Sequence, residues 1–232
     1  MNSALILGGT QFVGKRLVQI LIENGVKVSI ATRGMTSDSF GVSVDRIIID
    51  RENIFSMERG FDNRSWDVVF DQTCYSSEEA FNSIRVLEGK ISKYIFTSSQ
   101  AVYEFGTNHV EEDFNPFTFR PDLKNRQEYS GYIGYQEAKR SAEEVLFQQA
   151  SIPVVAVRFP IIVGRDDFTK RLKMHVDWVK ENNPIMIEHP DLRYGFIDSH
   201  EAATFLYQIA ESDYQGPINP GSEGDISLRE LI

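Results

Sequence analysis

The sequence lacks several features that would place it in a specialised class of protein. Its 232 residues include one cysteine, Cys74, so no disulfide can form within the chain, and a fold stabilised by internal disulfides is excluded. No run of apolar residues approaches the ~20 that a membrane-spanning helix needs, and no targeting segment is visible at the start. We therefore expect a cytoplasmic protein.

Basic residues and metal-ligand patterns are also scarce. There are 24 Lys and Arg residues against 34 Asp and Glu residues, and the net charge of −10 argues against a dedicated nucleic-acid binder. The four histidines, at 109, 175, 189 and 200, are scattered without metal-ligand spacing, so we expect no metal site. The remaining composition, 41% hydrophobic and 25% charged, is that of an ordinary globular protein.

Short apolar runs alternate with helical periodicities along the chain. The predicted strands are 4–7, 26–31, 46–49, 67–70, 94–97 and 153–157, and the clearest helices are 12–24, one starting at 76–79, and 132–149. This alternation predicts an α/β protein with a doubly wound parallel sheet, a Rossmann fold. We divide it into a core, 1–158, and a small substrate lobe, 159–232. Residues 104–131 read as an excursion beyond the sheet, suited to a lid or substrate loop.

A glycine-rich segment lies between the first predicted strand and the first predicted helix. It reads Gly8, Gly9, Thr10, Gln11, Phe12, Val13 and Gly14. Small residues let the backbone approach a pyrophosphate, and the N–H groups at the start of a helix face its negative charge. Glycines can also serve a tight turn, but the order of strand, loop and helix favours a dinucleotide-binding site.

The residues after the second strand bear on which dinucleotide would bind. An acidic residue here would accept a hydrogen bond from the ribose 2′-hydroxyl of NAD. The chain has Thr32 and Arg33 instead. Because the Arg33 guanidinium can pair with a 2′-phosphate, we expect NADP to be preferred over NAD. A solvated arginine in a turn is the alternative interpretation.

Acidic residues follow the next two predicted strands. Because ligands bind at the carboxyl ends of parallel strands, Asp50 is placed to accept a hydrogen bond from the adenine amino group. On the same rule, residues 71–75, with Asp71 and Thr73 among them, are expected along the nicotinamide half of the dinucleotide, although Asp71 could instead cap a turn. We interpret Cys74 as a buried neutral thiol rather than a nucleophile.

Tyr135 and Lys139 are four residues apart on a predicted helix and therefore share one face. An ammonium group beside a phenol favours the phenolate, which makes the phenol a usable acid or base near neutral pH. An ordinary surface pair would have the same spacing. Ser99 follows the fifth strand at the edge that carries the glycine loop, where its hydroxyl is placed to bind the substrate oxygen.

With these residues the chain resembles the short-chain dehydrogenase/reductase superfamily, and more closely its extended or atypical branch of NAD-dependent epimerase/dehydratases. The likeness covers nearly the whole chain. It rests on the glycine loop, Ser99, the Tyr135 and Lys139 pair, and the later segments 158–164, 196–203, 219–221 and 226–231.

The resemblance implies a role for each of these residues. Tyr135 would be the general acid/base, Lys139 would orient the nicotinamide ribose and assist Tyr135, and Ser99 would bind the reacting hydroxyl or carbonyl. Hydride would pass between a substrate carbon and the nicotinamide. The dinucleotide would be lined by residues 8–14, Thr32, Arg33, Asp50, Asp71, Thr73, Tyr135, Lys139, Phe159 and Pro160.

The chain also departs from the family pattern. Gln11 stands where the family loop has its middle glycine, and residues 71–73 replace the usual Ala-Gly pattern after the fourth strand. Together with Arg33, these traits resemble the sub-branch of chloroplast stem-loop-binding proteins and related bacterial reductase-like proteins. Some of that branch are better known for RNA association than for turnover. Gln100 and Ala101 stand where 4,6-dehydratases carry an Asp-Glu pair, which disfavours sugar dehydration.

We therefore expect an NADP- or NAD-dependent oxidoreductase or epimerase that acts on a small hydroxyl or carbonyl compound, with a nucleotide sugar as the expected substrate class. The alternative is an NADP-binding sensor, or an RNA- or protein-binding module of the same fold, with little turnover. The family also suggests a homodimer. The chain ends at Ile232, one turn into a helix predicted from Ser227, and relatives of this type continue further, so we expect the substrate lobe to be incomplete.

Overall fold

The apolar runs predicted as strands form the centre of the molecule, which we describe from a computed structural model. It describes residues 1–120 and 122–232, so Pro121, in the predicted excursion, lies outside the described residues. The strands are β1 Ser3–Leu7, β2 Lys27–Thr32, β3 Val44–Ile48, β4 Trp66–Asp71, β5 Ile91–Ser99, β6 Val154–Phe159, β7 Ile161–Val163, β8 Arg193–Tyr194, β9 Phe196–Asp198, β10 Gly216–Ile218 and β11 Ile226–Ser227. The helices are α1 Phe12–Glu23, α2 Ile54–Gly60, α3 Ser77–Leu87, α4 Gly131–Gln149, α5 Arg171–Lys180, α6 Ser199–Glu211 and α7 Leu228–Leu231.

Seven strands form one sheet in the order β10-β6-β5-β4-β1-β2-β3. Every neighbouring pair is parallel, and β1 lies between β2 and β4, with Ala4 opposite both Val28 and Val68. The chain thus winds outward from β1 in one direction and then in the other. The predicted doubly wound Rossmann fold is confirmed, and the reversal at β1 opens a crevice at the carboxyl ends of β1 and β4.

Helices cover both faces of the sheet. Leu17 of α1 and Leu206 of α6 pack in one buried apolar cluster, and Met57 of α2, Ala80 of α3 and Val145 of α4 pack in the other. Because both faces are covered, the central strands are apolar throughout rather than alternating, as the sequence of β1 shows.

Local signals fix where the helices that flank the site begin and end. The Ser76 side chain caps α3 by accepting a hydrogen bond from the backbone N–H of Glu79 at 3.1 Å. After α1, Gly25 adopts a φ of +75° and its N–H bonds to the carbonyl of Ile22 at 3.0 Å, which terminates the helix. Both boundaries were predicted within one residue.

The segment after residue 158 contributes to both the sheet and a separate region. Strand β10 extends the main sheet, and α6 packs against α1. The strand pairs β7-β9 and β8-β11 lie outside the main sheet. The excursion after β5 contains the short 3-10 helices Glu111–Asp113 and Arg126–Glu128. Among the described residues, no helix combines the length and apolar content needed to cross a membrane.

Candidate functional site

The glycine loop follows β1 in a conformation that only small residues accommodate. Gly8 and Gly9 adopt φ values of +114° and +96°. A Cβ atom on Gly9 would lie 3.1 Å from the Ile30 side chain, and one on Gly14 would lie 3.0 Å from the Gly9 backbone. The loop is therefore a cradle in which backbone rather than side chains faces the crevice.

The start of α1 leaves backbone donors for a ligand. Gln11 occupies the N-cap position, but its side chain makes no capping hydrogen bond, and no acidic residue lies in the first turn. The first N–H groups of a helix lack partners within it, so they suit an anion. The rings of Phe12 and the side chain of Val13 are buried in the core, which limits their predicted contact with a ligand to the backbone.

A cleft of about 220 Å³ opens beside this loop. Its walls come from the ends of β1, β2, β3 and β4 and from one residue of the excursion. They are formed by Leu7, Gly8, Thr10, Gln11, Ala31, Thr32, Arg33, Met35, Thr36, Ile49, Asp50, Arg51, Glu52, Thr73 and Arg126. The structure thus brings together most of the residues predicted for the adenosine and pyrophosphate parts of a dinucleotide.

Arg33 and Asp50 lie at one end of this cleft, both solvent-exposed. The Thr32 hydroxyl accepts a hydrogen bond from the Gly34 N–H at 3.1 Å, which shapes the turn that presents Arg33. The Asp50 carboxylate accepts the Glu52 N–H at 3.1 Å and retains an exposed edge. Both side chains are therefore accessible to a ligand in the cleft.

Asp71 corrects one prediction. Its carboxylate is fully buried and accepts hydrogen bonds from Arg51 at 2.6 and 3.0 Å and from the Tyr94 hydroxyl at 2.5 Å. Burial alone would raise the pKa of Asp71, but the charge and hydrogen bonds of Arg51 outweigh it and hold the pKa below its usual range. Asp71 anchors Arg51 beneath the cleft instead of contacting a ligand.

Cys74 and Phe159 are also buried. Burial raises the pKa of the Cys74 thiol to about 12, so the thiol stays neutral at physiological pH and is no nucleophile. The Phe159 ring packs edge-on against Phe205 in the core, with 6.4 Å between centroids. Its predicted contact with a dinucleotide could involve only its backbone, whereas Pro160 is partly exposed.

Tyr135 and Lys139 lie on one face of α4, beside the ends of β4 and β5. The Lys139 ammonium is buried and donates to the carbonyl oxygens of Thr97 and Cys74, both at 2.9 Å. It lies 5.9 Å from the centre of the Tyr135 ring, whose residue is 36% exposed. The structure therefore places a fixed positive charge beside an accessible phenol, as the sequence predicted.

Ser99 ends β5 at the same edge, and its hydroxyl accepts the Ala101 N–H at 3.1 Å. The neighbouring residues tie β5 to α4, because Thr97 binds Lys139 and the Ser98 hydroxyl donates to Glu143 at 2.5 Å. The cleft wall, as far as the described residues form it, does not include Ser99, Tyr135 or Lys139. They form a separate end of the site.

Tyr75, the last residue of the segment predicted along the nicotinamide half, joins the two ends through contacts that the sequence did not predict. The Lys139 ammonium lies 4.6 Å from the centre of its ring, and the Arg126 guanidinium lies 5.1 Å from it. The Tyr135 ring is 6.3 Å away. An aromatic residue shortly after β4 was the only available signal, and nothing in its spacing indicated these contacts.

Arg51, Arg126 and the buried pair of Glu143 and Arg158 were missed as well. Each is a charged residue next to an apolar run or inside the excursion, and such positions usually belong to solvated turns. Within the described residues, no group of three or more His, Cys, Asp or Glu side chains is arranged to hold a metal ion.

Comparison with known proteins adds one partial relative. No family model matches the chain. The chloroplast stem-loop binding protein of 41 kDa b from Arabidopsis thaliana is 31% identical over an alignment of 124 residues that covers 47% of this chain. The match spans about a third of that relative, 32% of its length. The predicted resemblance to this branch is confirmed at that level.

Solved structures match over almost the entire chain, at low identity. The UDP-glucose 4-epimerase of Thermus thermophilus, crystallised with NAD, has a TM-score of 0.74 and 17% identity, with 99% of this chain and 80% of the epimerase covered. The UDP-N-acetylglucosamine 4-epimerase of Methanobrevibacter ruminantium has a TM-score of 0.76 and 21% identity, with 99% of this chain and 79% of that epimerase covered. The enzyme WbmH of Bordetella bronchiseptica, in complex with NAD⁺, has a TM-score of 0.78 and 13% identity, with 99% of this chain and 79% of WbmH covered. The chain therefore has the same Rossmann fold as these solved structures.

Proposed function

We propose that the chain binds NADP or NAD along the cleft and oxidises or epimerises a hydroxyl or carbonyl group of a small molecule. The glycine loop supports the dinucleotide, because Gly8 and Gly9 turn the backbone with positive φ values and the start of α1 beside them carries no capping side chain. Arg33 and Asp50 would hold the adenosine end. The buried Lys139 ammonium has two of its three N–H groups bonded to carbonyl oxygens, which leaves one N–H for the nicotinamide ribose. The bound nicotinamide would supply hydride acceptance and donation.

The observation that carries the proposal is the placement of Tyr135. Its half-exposed ring lies beside a buried ammonium that two carbonyl oxygens hold in position. Its accessible hydroxyl would take a proton from a substrate hydroxyl and return it. Ser99, at the end of β5, would bind the same oxygen.

Nucleotide sugars are the substrate class we propose. The solved structures that share the fold include one of MoeE5 with UDP-glucose and NAD. A nucleotide sugar would place its sugar at Ser99 and Tyr135 and its diphosphate toward the region after β6. Absorbance of reduced nicotinamide, followed across a panel of UDP-, GDP- and dTDP-sugars, tests this class directly, with coupled sugar analysis for products of epimerisation.

Substitution of Tyr135 by Phe tests the assignment of the general acid/base. General acid-base catalysis contributes about 10²–10⁴-fold, so kcat should fall by that factor on a substrate that the wild type turns over. Dinucleotide affinity, measured by calorimetry, should stay close to the wild-type value because the ring is retained. The matched control is Tyr132→Phe, an exposed tyrosine one turn earlier on α4. Unchanged kcat in Tyr135→Phe would rule out the assignment.

A dinucleotide-binding module with little turnover is the second candidate. It is favoured by the partial relative, which is named as a stem-loop binding protein. The net charge of −10 weighs against an RNA ligand. NADP-induced stabilisation against thermal unfolding, without turnover of any sugar in the panel, would favour this candidate. An RNA affinity that falls steeply with salt would identify its ligand.

A further inference from the structure

Residues 122–130, which we call the strap, cross the carboxyl edge of the sheet before α4. The backbone N–H of Lys124 donates to the Ser77 hydroxyl at 2.8 Å, and its ammonium pairs with Glu137 at 2.6 Å. Asn125 and Glu128 form a capping box at the start of the 3-10 helix Arg126–Glu128. The Asn125 side chain accepts from the Gln127 N–H at 3.0 Å, and the Glu128 carboxylate accepts from the Asn125 N–H at 2.8 Å. The strap is therefore an ordered element with its own anchors on α3 and α4.

Arg126 extends from the strap into the cleft wall. Its Nε donates to the Glu79 carboxylate at 2.6 Å, and its Nη2 donates to the carbonyl of Thr73 at 2.8 Å. Glu79 is almost completely buried, so it holds the guanidinium in one orientation. Within the described residues Nη1 makes no hydrogen bond, and the Arg126 side chain is 36% exposed. One edge of a fixed cation is thus available to a ligand.

Arg126 lies close to the glycine loop through Thr73. The Thr73 side chain would lie 3.2 Å from a Cβ atom on Gly8, while the Thr73 carbonyl accepts from Arg126. Arg51, a second cation of this wall, already donates hydrogen bonds to Asp71, Thr73 and Ser83. Arg33 lies at the far, adenosine end. Arg126 is therefore the cation best placed to face a diphosphate that lies on the loop.

The strap also narrows the cleft. The Gln127 amide donates to the Glu52 carboxylate at 2.7 Å and so links the strap to the segment after β3. The cleft of about 220 Å³ is smaller than the ~300–1,000 Å³ typical of ligand sites. The link keeps the strap, and with it Arg126, beside the cleft.

We propose that Arg126 is a phosphate-binding residue of the dinucleotide site, carried by the strap and aimed at the diphosphate. The proposal rests on the proposed dinucleotide site. An arginine fits this task because its planar guanidinium keeps two bonds to Glu79 and Thr73 while a third nitrogen pairs with a phosphate oxygen. Bound dinucleotide would in turn hold the strap in place.

Isothermal titration with NADP, NAD, ADP-ribose and adenosine tests the proposal. Arg126→Gln should weaken NADP, NAD and ADP-ribose by a similar factor, about ten- to a hundredfold for the loss of one charge-assisted contact, and leave adenosine unchanged. Arg33→Gln should weaken NADP more than NAD. Lys124→Gln removes a charge from the same strap away from the cleft and is the matched control, with affinities near the wild type.

Two further measurements separate phosphate binding from folding. Arg126→Lys keeps the charge and should recover part of the affinity for ADP-ribose. In the wild-type protein, ADP-ribose should slow tryptic cleavage after Arg126 and adenosine should not. If Arg126→Gln binds ADP-ribose as tightly as the wild type, or if Lys124→Gln loses as much, Arg126 is no phosphate ligand. If the wild type itself binds no dinucleotide, the proposed function fails and takes this proposal with it.

Discussion

Two buried arginine-carboxylate pairs lie near the carboxyl edge of the same sheet, and they differ in how completely the protein encloses them. Arg51 pairs with Asp71 between the ends of β3 and β4, and its side chain is 10% exposed in the cleft wall. Arg158 of β6 pairs with Glu143 of α4 at 2.6 Å, and both side chains are completely buried. The first pair borders the cleft, and the second does not.

The enclosed pair, Arg158 and Glu143, holds the excursion against the sheet. Arg158 donates to the Tyr103 hydroxyl and the Glu111 carbonyl, each at 2.8 Å, and to the Phe114 carbonyl at 3.0 Å. Tyr103 in turn donates to Asn219 at 2.7 Å. This pair therefore joins the core to the excursion and to the segment after β10.

The open pair, Arg51 and Asp71, supports the cleft wall. Arg51 also donates to Thr73 at 3.0 Å and to Ser83 at 3.1 Å, while its Nε lies 3.5 Å from Glu79. Glu79 is the carboxylate that positions Arg126. The same chemical pair therefore joins the core to the excursion in one place and shapes the cleft wall in the other, depending on what surrounds it.

The largest effect should follow from breaking the enclosed pair. Glu143→Gln leaves the Arg158 charge buried without a partner, and such changes cost about 3–5 kcal/mol. The free energy of unfolding, measured with guanidinium chloride at pH 7, should fall by that amount. Dinucleotide affinity should change little, because the pair is remote from the cleft wall. Asp191→Asn, which breaks the exposed pair with Arg229, is the control and should change stability little. Equal losses in the two variants would contradict the prediction.

Breaking the open pair should cost less stability but weaken ligand binding. Asp71→Asn removes one charged partner of Arg51, which keeps Thr73, Ser83 and Glu79, so we expect a loss of about 1.5–3 kcal/mol. Because Arg51 is then free to move in the cleft wall, ADP-ribose affinity should fall several-fold. Stability and ADP-ribose affinity measured on the same preparations separate the two variants. If Glu143→Gln loses more ADP-ribose affinity than Asp71→Asn, the assigned roles are reversed.

Sequence patterns predicted the features that depend on neighbouring residues. The apolar runs gave the parallel sheet, two of the three positive-φ positions of the loop coincided with Gly8 and Gly9, and the four-residue spacing placed Tyr135 and Lys139 on one face. These features follow from backbone geometry and helical periodicity, which act over short stretches of chain.

The charged network could not be predicted in the same way. Arg51 and Asp71 are 20 residues apart, and Arg126 and Glu79 are 47 apart. Whether such residues meet depends on strand order and on the path of the excursion, and a lone charge after a strand is usually solvated. Asp71 was consequently assigned to the dinucleotide, although its position next to Arg51 buries it.

The smallest effect, and the sharpest contrast between the pairs, concerns pH. The pKa of Asp71 lies below its usual range, so its stabilisation is present above the unfolded-state pKa of about 3.9 and is lost as the pH falls through the lower folded-state pKa. Burial raises the pKa of Glu143 despite its bonds to Arg158. Its contribution is therefore complete below about pH 4.3 and declines as the pH rises through the higher folded-state pKa.

Unfolding free energies between pH 3 and pH 7 would reveal these opposite signs, at about 1.4 kcal/mol for each unit of pKa difference. Asp71→Asn should flatten the loss of stability below about pH 4, because its amide does not titrate. Glu143→Gln should instead remove a gain of stability as the pH falls from neutral toward 4. Each variant is the other's control, since both replace a buried carboxylate by an isosteric amide. If the slope of unfolding free energy against pH changed in the same direction in both variants, the two pairs would not differ in the sign of their pH dependence.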